Sequence, residues 1–174
     1  MIRLVILDID GVMTDGTKIY GVDGLPFAKS YCDKDFTAIK RLKGANVKVC
    51  FLSGDETVNR EMAQNRNVQF HLARGKDKAD FVSLFEKLYD VSSSDMAYVG
   101  DDLFDSSIMR EVGHPYCPSD ACKEIRHICK AHNILSCRGG DNAIANFLEV
   151  LLDRQLVPEC TMEDIERLDK LEVF

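Results

Sequence analysis

Leu4-Val5-Ile6-Leu7-Asp8-Ile9-Asp10-Gly11-Val12-Met13-Thr14-Asp15-Gly16 sets four apolar residues directly before two aspartates. A short unbroken apolar run suits a strand buried on both faces of a parallel sheet. Asp8 and Asp10 then leave that strand at its carboxyl end, where open α/β folds place ligand sites. Two carboxylates one residue apart cannot comfortably both be ionised in a partly buried site. A divalent cation relieves the conflict, and aspartate oxygens suit Mg²⁺. Taken alone, the stretch also reads as an N-terminal strand ending in a polar turn.

Three further segments argue against that plainer reading. The apolar run Val47-Lys48-Val49-Cys50-Phe51-Leu52 ends in Ser53-Gly54. Lys78 lies in Gly75-Lys76-Asp77-Lys78, at the start of an amphipathic pattern. Met96-Ala97-Tyr98-Val99 ends in Gly100-Asp101-Asp102-Leu103-Phe104-Asp105. Three predicted strands thus deliver polar groups at their carboxyl ends, and a cationic side chain joins them. Scattered loops do not explain such convergence.

The chain has 174 residues, which is ordinary for one domain and enough to bury a core. A hydrophobic fraction of 45% with 29% charged residues fits a water-soluble globular protein. No apolar run approaches the ~20 residues of a membrane span, and the start lacks the pattern of a secretory signal. The formal net charge of −7 argues against a nucleic-acid surface. It also means that an anionic substrate needs local positive charge. Seven cysteines, an odd number, suit reduced thiols in a cytoplasm. Cys122 and Cys129 lie near His127 and His132, but the sequence has no Cys-x-x-Cys pair, and the thiols read better as small core residues than as zinc ligands.

Between Gly16 and Tyr31, two extended segments flank Gly21-Val22-Asp23-Gly24-Leu25-Pro26, which reads as a β-hairpin. Helical patterns follow over about 35–43, 56–65, 77–89, 105–112, 120–129 and 142–152, with short strands near 68–72 and 115–117. Thr161 is placed to cap a last helix in which Met162, Ile165, Leu168 and Leu171 recur every three residues. Strands alternating with helices imply an α/β fold, a doubly wound and mostly parallel sheet. One domain over 1–174 is expected, with a hairpin flap at about 16–31 and a C-terminal tail at about 153–174.

The four segments together resemble the haloacid dehalogenase superfamily of phosphatases. Asp8-x-Asp10 is similar to its first motif, Ser53 to its second, Lys78 to its third and Gly100-Asp101-Asp102-x-x-Asp105 to its fourth. The resemblance implies a Rossmann-like core. Neither the gap from Asp15 to Leu52 nor the 25 positions from Ser53 to Lys78 can hold a separate cap domain. Within the capless group, Gly11 to Gly16, the hairpin and Arg138-Gly139-Gly140 resemble the sugar-acid phosphatases. These act on 3-deoxy-D-manno-octulosonate 8-phosphate and nine-carbon ulosonate 9-phosphates. The resemblance further implies a homotetramer, with hairpins and C-terminal segments of neighbours roofing each site, which would keep water out.

By the same resemblance, Asp8 is the nucleophile that forms an aspartyl-phosphate. Asp10 protonates the leaving alkoxide and later deprotonates water. Asp8, Asp101 and the backbone carbonyl of Asp10 hold Mg²⁺, with Asp102 and Asp105 behind them. Asp105 reads equally as a helix cap. Ser53, Gly54 and Lys78 take the phosphoryl oxygens, with Lys76 competing for the lysine role and a helix cap as the plainer reading of Ser53. Asp55 stands where octulosonate phosphatases usually carry arginine, which leans towards a nine-carbon ulosonate; it too could be a cap. Arg138 either reaches a substrate carboxylate or is a solvated loop arginine.

The expected activity is Mg²⁺-dependent hydrolysis of an ulosonate phosphate. The alternatives are a phosphatase of another small phosphomonoester, and a non-catalytic oligomerisation module of the kind attached to sugar-nucleotide synthetases. A scaffold has no physical need for Asp8, Asp10 and Lys78 together.

Overall fold

Strand β1 (Leu4–Leu7) is buried along its whole length, as an unbroken apolar run requires. The computed structural model describes residues 1–173; Phe174, the last residue of the expected tail, lies outside the described residues. After β1 come β2 (Ile19–Tyr20), β3 (Pro26–Ala28), α1 (Asp33–Gly44), β4 (Lys48–Ser53), α2 (Asn59–Asn65), β5 (Gln69–Leu72) and α3 (Asp80–Tyr89). The second half holds β6 (Met96–Val99), α4 (Ser106–Glu111), β7 (His114–Tyr116), α5 (Lys123–Cys129), α6 (Ala143–Asp153) and α7 (Met162–Asp169).

Five strands form one parallel sheet in the order β5-β4-β1-β6-β7. The chain leaves β1 to one side through β4 and β5, then crosses back to β6 and β7. The switch in direction therefore falls beside the tip of β1, where such sheets open a crevice. Leu7 is level with Phe51 of β4 and Val99 of β6. This register brings Asp8, Ser53 and Asp101 out at one edge of the sheet.

Side chains alternate along each strand, so the two faces feed two cores. Val5, Leu7, Val49 and Phe51 pack with Phe36 and Leu42 of α1 and Phe147 of α6. Leu4, Ile6, Leu52 and Tyr98 pack with Phe85 of α3, Ile108 of α4 and Ile125 of α5. Cys50, Cys117 and Cys129 are buried in this second core. Antiparallel β2 and β3 form a separate hairpin beside the sheet. No helix among the described residues is long and apolar enough to cross a membrane.

Several helices start later than the apolar pattern implied, because short polar side chains hold the entering chain in turns first. Asp55 Oδ1 accepts the Thr57 N–H at 3.0 Å, and α2 begins at Asn59 rather than Glu56. Asp77 Oδ1 accepts the Ala79 N–H at 2.9 Å, so Lys78 sits on a turn ahead of α3. Residues 103–105 form a 3₁₀ turn before α4. Thr161 Oγ1 accepts the Asp164 N–H and caps α7. Of the apolar residues expected along that helix, Leu168 is buried and Met162 exposed, while Leu171 lies beyond the helix end and is exposed. The tail is held by charge against α1 and the end of α2: Lys40 Nζ is 2.5 Å from Asp169, and Arg66, which follows α2, is 2.9 Å from Glu172.

Candidate active site

A cleft of about 940 Å³ opens at the strand tips, within the size range of small-molecule sites. Asp8 forms its floor. The Ile9 N–H donates to Asp8 Oδ1 at 2.8 Å, which leaves Oδ2 to face Lys78 Nζ at 3.1 Å. Gly11 follows with φ +83°, and an added Cβ there would lie 2.1 Å from Asp101 Oδ2. Glycine is therefore required for the β1 loop to pass the β6 loop.

Asp105 proves to be the brace of the site. It stands at the N-cap position of α4, but its side chain makes no hydrogen bond to that helix. Its Oδ1 accepts from Lys78 and from the Tyr98 hydroxyl, both at 2.6 Å. Its Oδ2 accepts the N–H groups of Asp101 and Asp102 at 2.9 and 3.1 Å. The Asp102 side chain turns to the Leu103 N–H at 2.7 Å. Lys78, with 6% of its surface exposed, is the lysine at the carboxylates. Lys76 stands at the rim with its ammonium 5.7 Å from the centre of the Phe81 ring.

Carboxylate oxygens of Asp8, Asp101 and Asp105 lie within 4.8 Å of one another. Burial, with Asp105 adding to it, raises the Asp8 pKa to about 7 even against Lys78. Burial and the neighbouring Asp8 and Asp105 push Asp101 up to about 8. Burial opposes the Lys78 charge, but Asp8 and Asp105 outweigh it and hold that pKa above its ordinary value. Asp101 Oδ1 is buried and accepts no hydrogen bond. An unpartnered carboxylate oxygen beside a second strained carboxylate is what a hard divalent cation satisfies, so this donor set fits Mg²⁺. Asp105 is close, but Lys78, Tyr98 and two amides already occupy its oxygens.

On the other wall, Ser53 is buried and its hydroxyl is 3.2 Å from the Asp55 N–H, which it accepts. The helix that follows is entered at Val58, so Ser53 is not its cap. An added Cβ on Gly54 would meet nothing within 4 Å, leaving this backbone open to the cleft. The Asp10 carboxylate turns away from the acid cluster towards Lys29 Nζ, 2.7 Å from Oδ1. Asp55 is engaged as well. Against its burial, Lys18 at 2.8 Å, the Thr57 N–H and Lys29 at 3.1 Å hold its pKa below the usual carboxylate range.

Arg138 does not line this cleft within the single chain. Its Nε donates to Asp120 at 3.2 Å, and 73% of the side chain is exposed. Its neighbours matter more: Gly139 packs so closely that an added Cβ would lie 2.0 Å from the Gly11 carbonyl oxygen. Sequence reading missed Lys18, Lys29, Asn59, Arg74 and Tyr98. The one available signal was Tyr98, a polar tip inside an otherwise apolar strand.

A doubly wound parallel sheet, no inserted cap and an acid-lysine cluster at the switch point define a phosphatase of the haloacid dehalogenase superfamily. No protein-family model matches the chain. It is 31% identical over 156 residues to the 3-deoxy-D-manno-octulosonate 8-phosphate phosphatase KdsC of Salmonella typhi, covering 87% of this chain and 79% of the relative. A solved structure of the cobalt-bound deoxy-D-mannose-octulosonate 8-phosphate phosphatase from Haemophilus influenzae matches with a TM-score of 0.82 and 29% identity, over 88% of this chain and 89% of that one. Another, from Moraxella catarrhalis, holds magnesium, phosphate and KDO; it matches with a TM-score of 0.79 and 25% identity, over 87% and 86%. The chain belongs to the 3-deoxy-D-manno-octulosonate 8-phosphate phosphatase (KdsC) family.

Proposed function

We propose that the protein hydrolyses the phosphomonoester of 3-deoxy-D-manno-octulosonate 8-phosphate, with Mg²⁺ as its cofactor. One observation carries the reading: the Asp8–Asp101–Asp105 cluster with Lys78 inside it, at the tip of the central strand. A phosphomonoester repels nucleophiles, so the site must position attack and neutralise charge.

Asp8 Oδ forms a bond to phosphorus as the ester P–O bond breaks, and Asp10 gives its proton to the departing alkoxide. Water then attacks the aspartyl-phosphate, Asp10 takes its proton, and the Asp8–phosphorus linkage breaks to release inorganic phosphate. Ser53, the Gly54 N–H and Lys78 hold the non-bridging oxygens, while Asp105 keeps Lys78 in place. Mg²⁺, held by Asp8, Asp101 and the backbone carbonyl of Asp10, would supply positive charge to the transferring group. Arg74 and Lys76 on the cleft wall give an anionic sugar acid local positive charge that the net charge of −7 withholds.

Asp55 does not present free acceptors to a sugar, since Lys18, Lys29 and Thr57 use them. The lean towards a nine-carbon substrate therefore loses its support. The scaffold alternative requires no such cluster. Ile19, Tyr20, Val22, Leu25 and Phe27 are exposed on the hairpin, and Phe104 at the cleft mouth. Such a patch supports burial against further copies, in keeping with a homotetramer whose neighbours roof the site. We place the enzyme in the cytoplasm, where its seven unpaired thiols stay reduced.

Phosphate release is measured from eight- and nine-carbon ulosonate phosphates and from p-nitrophenyl phosphate, with and without Mg²⁺. Preferred, Mg²⁺-dependent turnover of the eight-carbon ester is expected. No turnover with any divalent metal overturns the catalytic reading, and preference for another ester overturns the substrate.

A further inference from the structure

Lys29 directly follows β3, at the root of the hairpin, yet its side chain has no exposed surface. Its ammonium meets three acceptors: Asp10 Oδ2 at 3.1 Å, Asp55 Oδ2 at 3.1 Å and Asn59 Oδ1 at 2.8 Å. An ammonium has three N–H donors, so none remains for a substrate. Asn59 is itself fully buried and fixed. Its Nδ2 donates to the Asp55 carbonyl at 2.9 Å, and its Oδ1 also accepts from the Tyr31 hydroxyl at 3.1 Å.

Asp10 has few other restraints. Lys18 is 3.7 Å away and the Asn59 amide 3.4 Å, both long contacts. Lys29 Nζ is the main contact: it donates to Oδ2 at 3.1 Å and forms an ion pair 2.7 Å from Oδ1, a buried oxygen that accepts no hydrogen bond. A general acid works only within hydrogen-bond reach of the oxygen it protonates, so a rotation of its carboxyl removes its contribution.

We propose that Lys29 is the positioning residue for Asp10: anchored by Asn59 and Asp55, it fixes the Asp10 carboxyl towards the leaving-group oxygen. This inference rests on the phosphatase reading above and on Asp10 as its acid. It assigns to the hairpin root a part in the chemistry separate from any roofing by neighbours.

The test uses Mg²⁺-loaded enzyme and a series of aryl phosphates from 4-nitrophenyl to phenyl, which differ in leaving-group basicity and make no sugar contacts. The parameter is kcat/KM, which reports the steps through departure of the alcohol. In Lys29→Met the loss should grow along the series, being about tenfold larger for phenyl than for 4-nitrophenyl phosphate, in line with general-acid contributions. Asp10→Asn should show the same trend. Lys29→Arg keeps the charge and serves where Lys29→Met does not fold; it should show a shallower version of the same slope. A loss equal across the series, no loss, or a raised KM confined to the sugar phosphate overturns the proposal. Wild-type enzyme inactive on every ester overturns the phosphatase reading and this proposal with it, whereas a flat loss in an active enzyme removes Lys29 alone.

Discussion

Lys78 Nζ lies 2.6 Å from Asp105 Oδ1, and both side chains are buried. The pair joins the turn before α3 to the 3₁₀ turn before α4, and it aims the ammonium at Asp8. Replacing Lys78 with Met should lower kcat by about 10²–10³-fold, the usual cost of one lost donor to transition-state charge. Asp105→Ala takes the nearest counter-charge from that ammonium, leaving it Asp8, and leaves the Asp101 and Asp102 amides and the Tyr98 hydroxyl without their acceptor, so it should also destabilise the fold by about 3–5 kcal/mol. Steady-state kinetics with thermal unfolding separates the two: Lys78→Met with normal kcat removes the lysine from the chemistry.

Asp8→Asn should reduce turnover by about 10⁴-fold or more, the scale of a lost nucleophile. Because burial already lifts the Asp8 pKa to about 7, its charge is held at a cost in metal-free protein. The metal-free Asn variant should therefore unfold at the same temperature as the wild type or higher at pH 8. Scanning calorimetry in the presence of a chelator checks this, and a clear drop in Tm contradicts it.

Magnesium binding should depend on pH. Asp8 and Asp101 titrate near 7 and 8 in metal-free protein, well above the ordinary 3.8, and both must be ionised to bind the cation. Protons thus compete below about pH 8, and affinity should rise from pH 6 to pH 8. Isothermal titration with Mg²⁺ at several pH values should show tighter binding and fewer protons released at the upper end. Affinity independent of pH would exclude these two carboxylates as ligands.

Asp35 is fully buried and accepts the Ile144 and Ala145 N–H groups at 3.0 and 2.9 Å, tying α1 to the start of α6. Burial raises its pKa to about 6 despite those bonds. The folded chain then keeps a proton between about pH 4 and 6 that the unfolded chain has released. Asp35 should therefore make stability fall as pH rises through that window, by on the order of 2 kcal/mol. Asp35→Asn should flatten this part of the profile, while Asp35→Ala should cost about 1–3 kcal/mol for each unpaired amide. Urea titrations from pH 4 to 7 measure both, and an unchanged slope in Asp35→Asn rejects the assignment.

Val22 and Phe27 project from the hairpin into solvent in the single chain. If copies cover them, Val22→Asp with Phe27→Ser should shift the mass seen by light scattering towards the monomer. Sugar-phosphate turnover should fall more than aryl-phosphate turnover, because the roof is lost. An unchanged mass places the interface elsewhere.

The apolar runs ending at Leu7, Leu52 and Val99 made the sheet legible, because a strand covered on both faces has no room for polar alternation. Their register then follows from parallel pairing, which explains why Asp8, Ser53 and Asp101 share one edge. Lys29 was not legible. Its partners lie 19, 26 and 30 residues away, and a lysine after a hairpin strand reads as solvated until those carboxylates surround it. Asn59 was hidden likewise, as a polar residue in a polar helix.

Sequence alone determined the α/β class and the acids at the strand tips, since hydrophobic periodicity and chain order are local properties; the phosphatase family came from the resemblance carried by Asp8, Asp10, Ser53, Lys78 and Asp101 in their order. Tertiary structure decided which lysine meets the carboxylates, that Asp105 is a brace, that Asp55 is already paired and that Arg138 faces Asp120. Those outcomes depend on distances between segments far apart in the chain, and buried charges settle only where packing brings a counter-charge within reach.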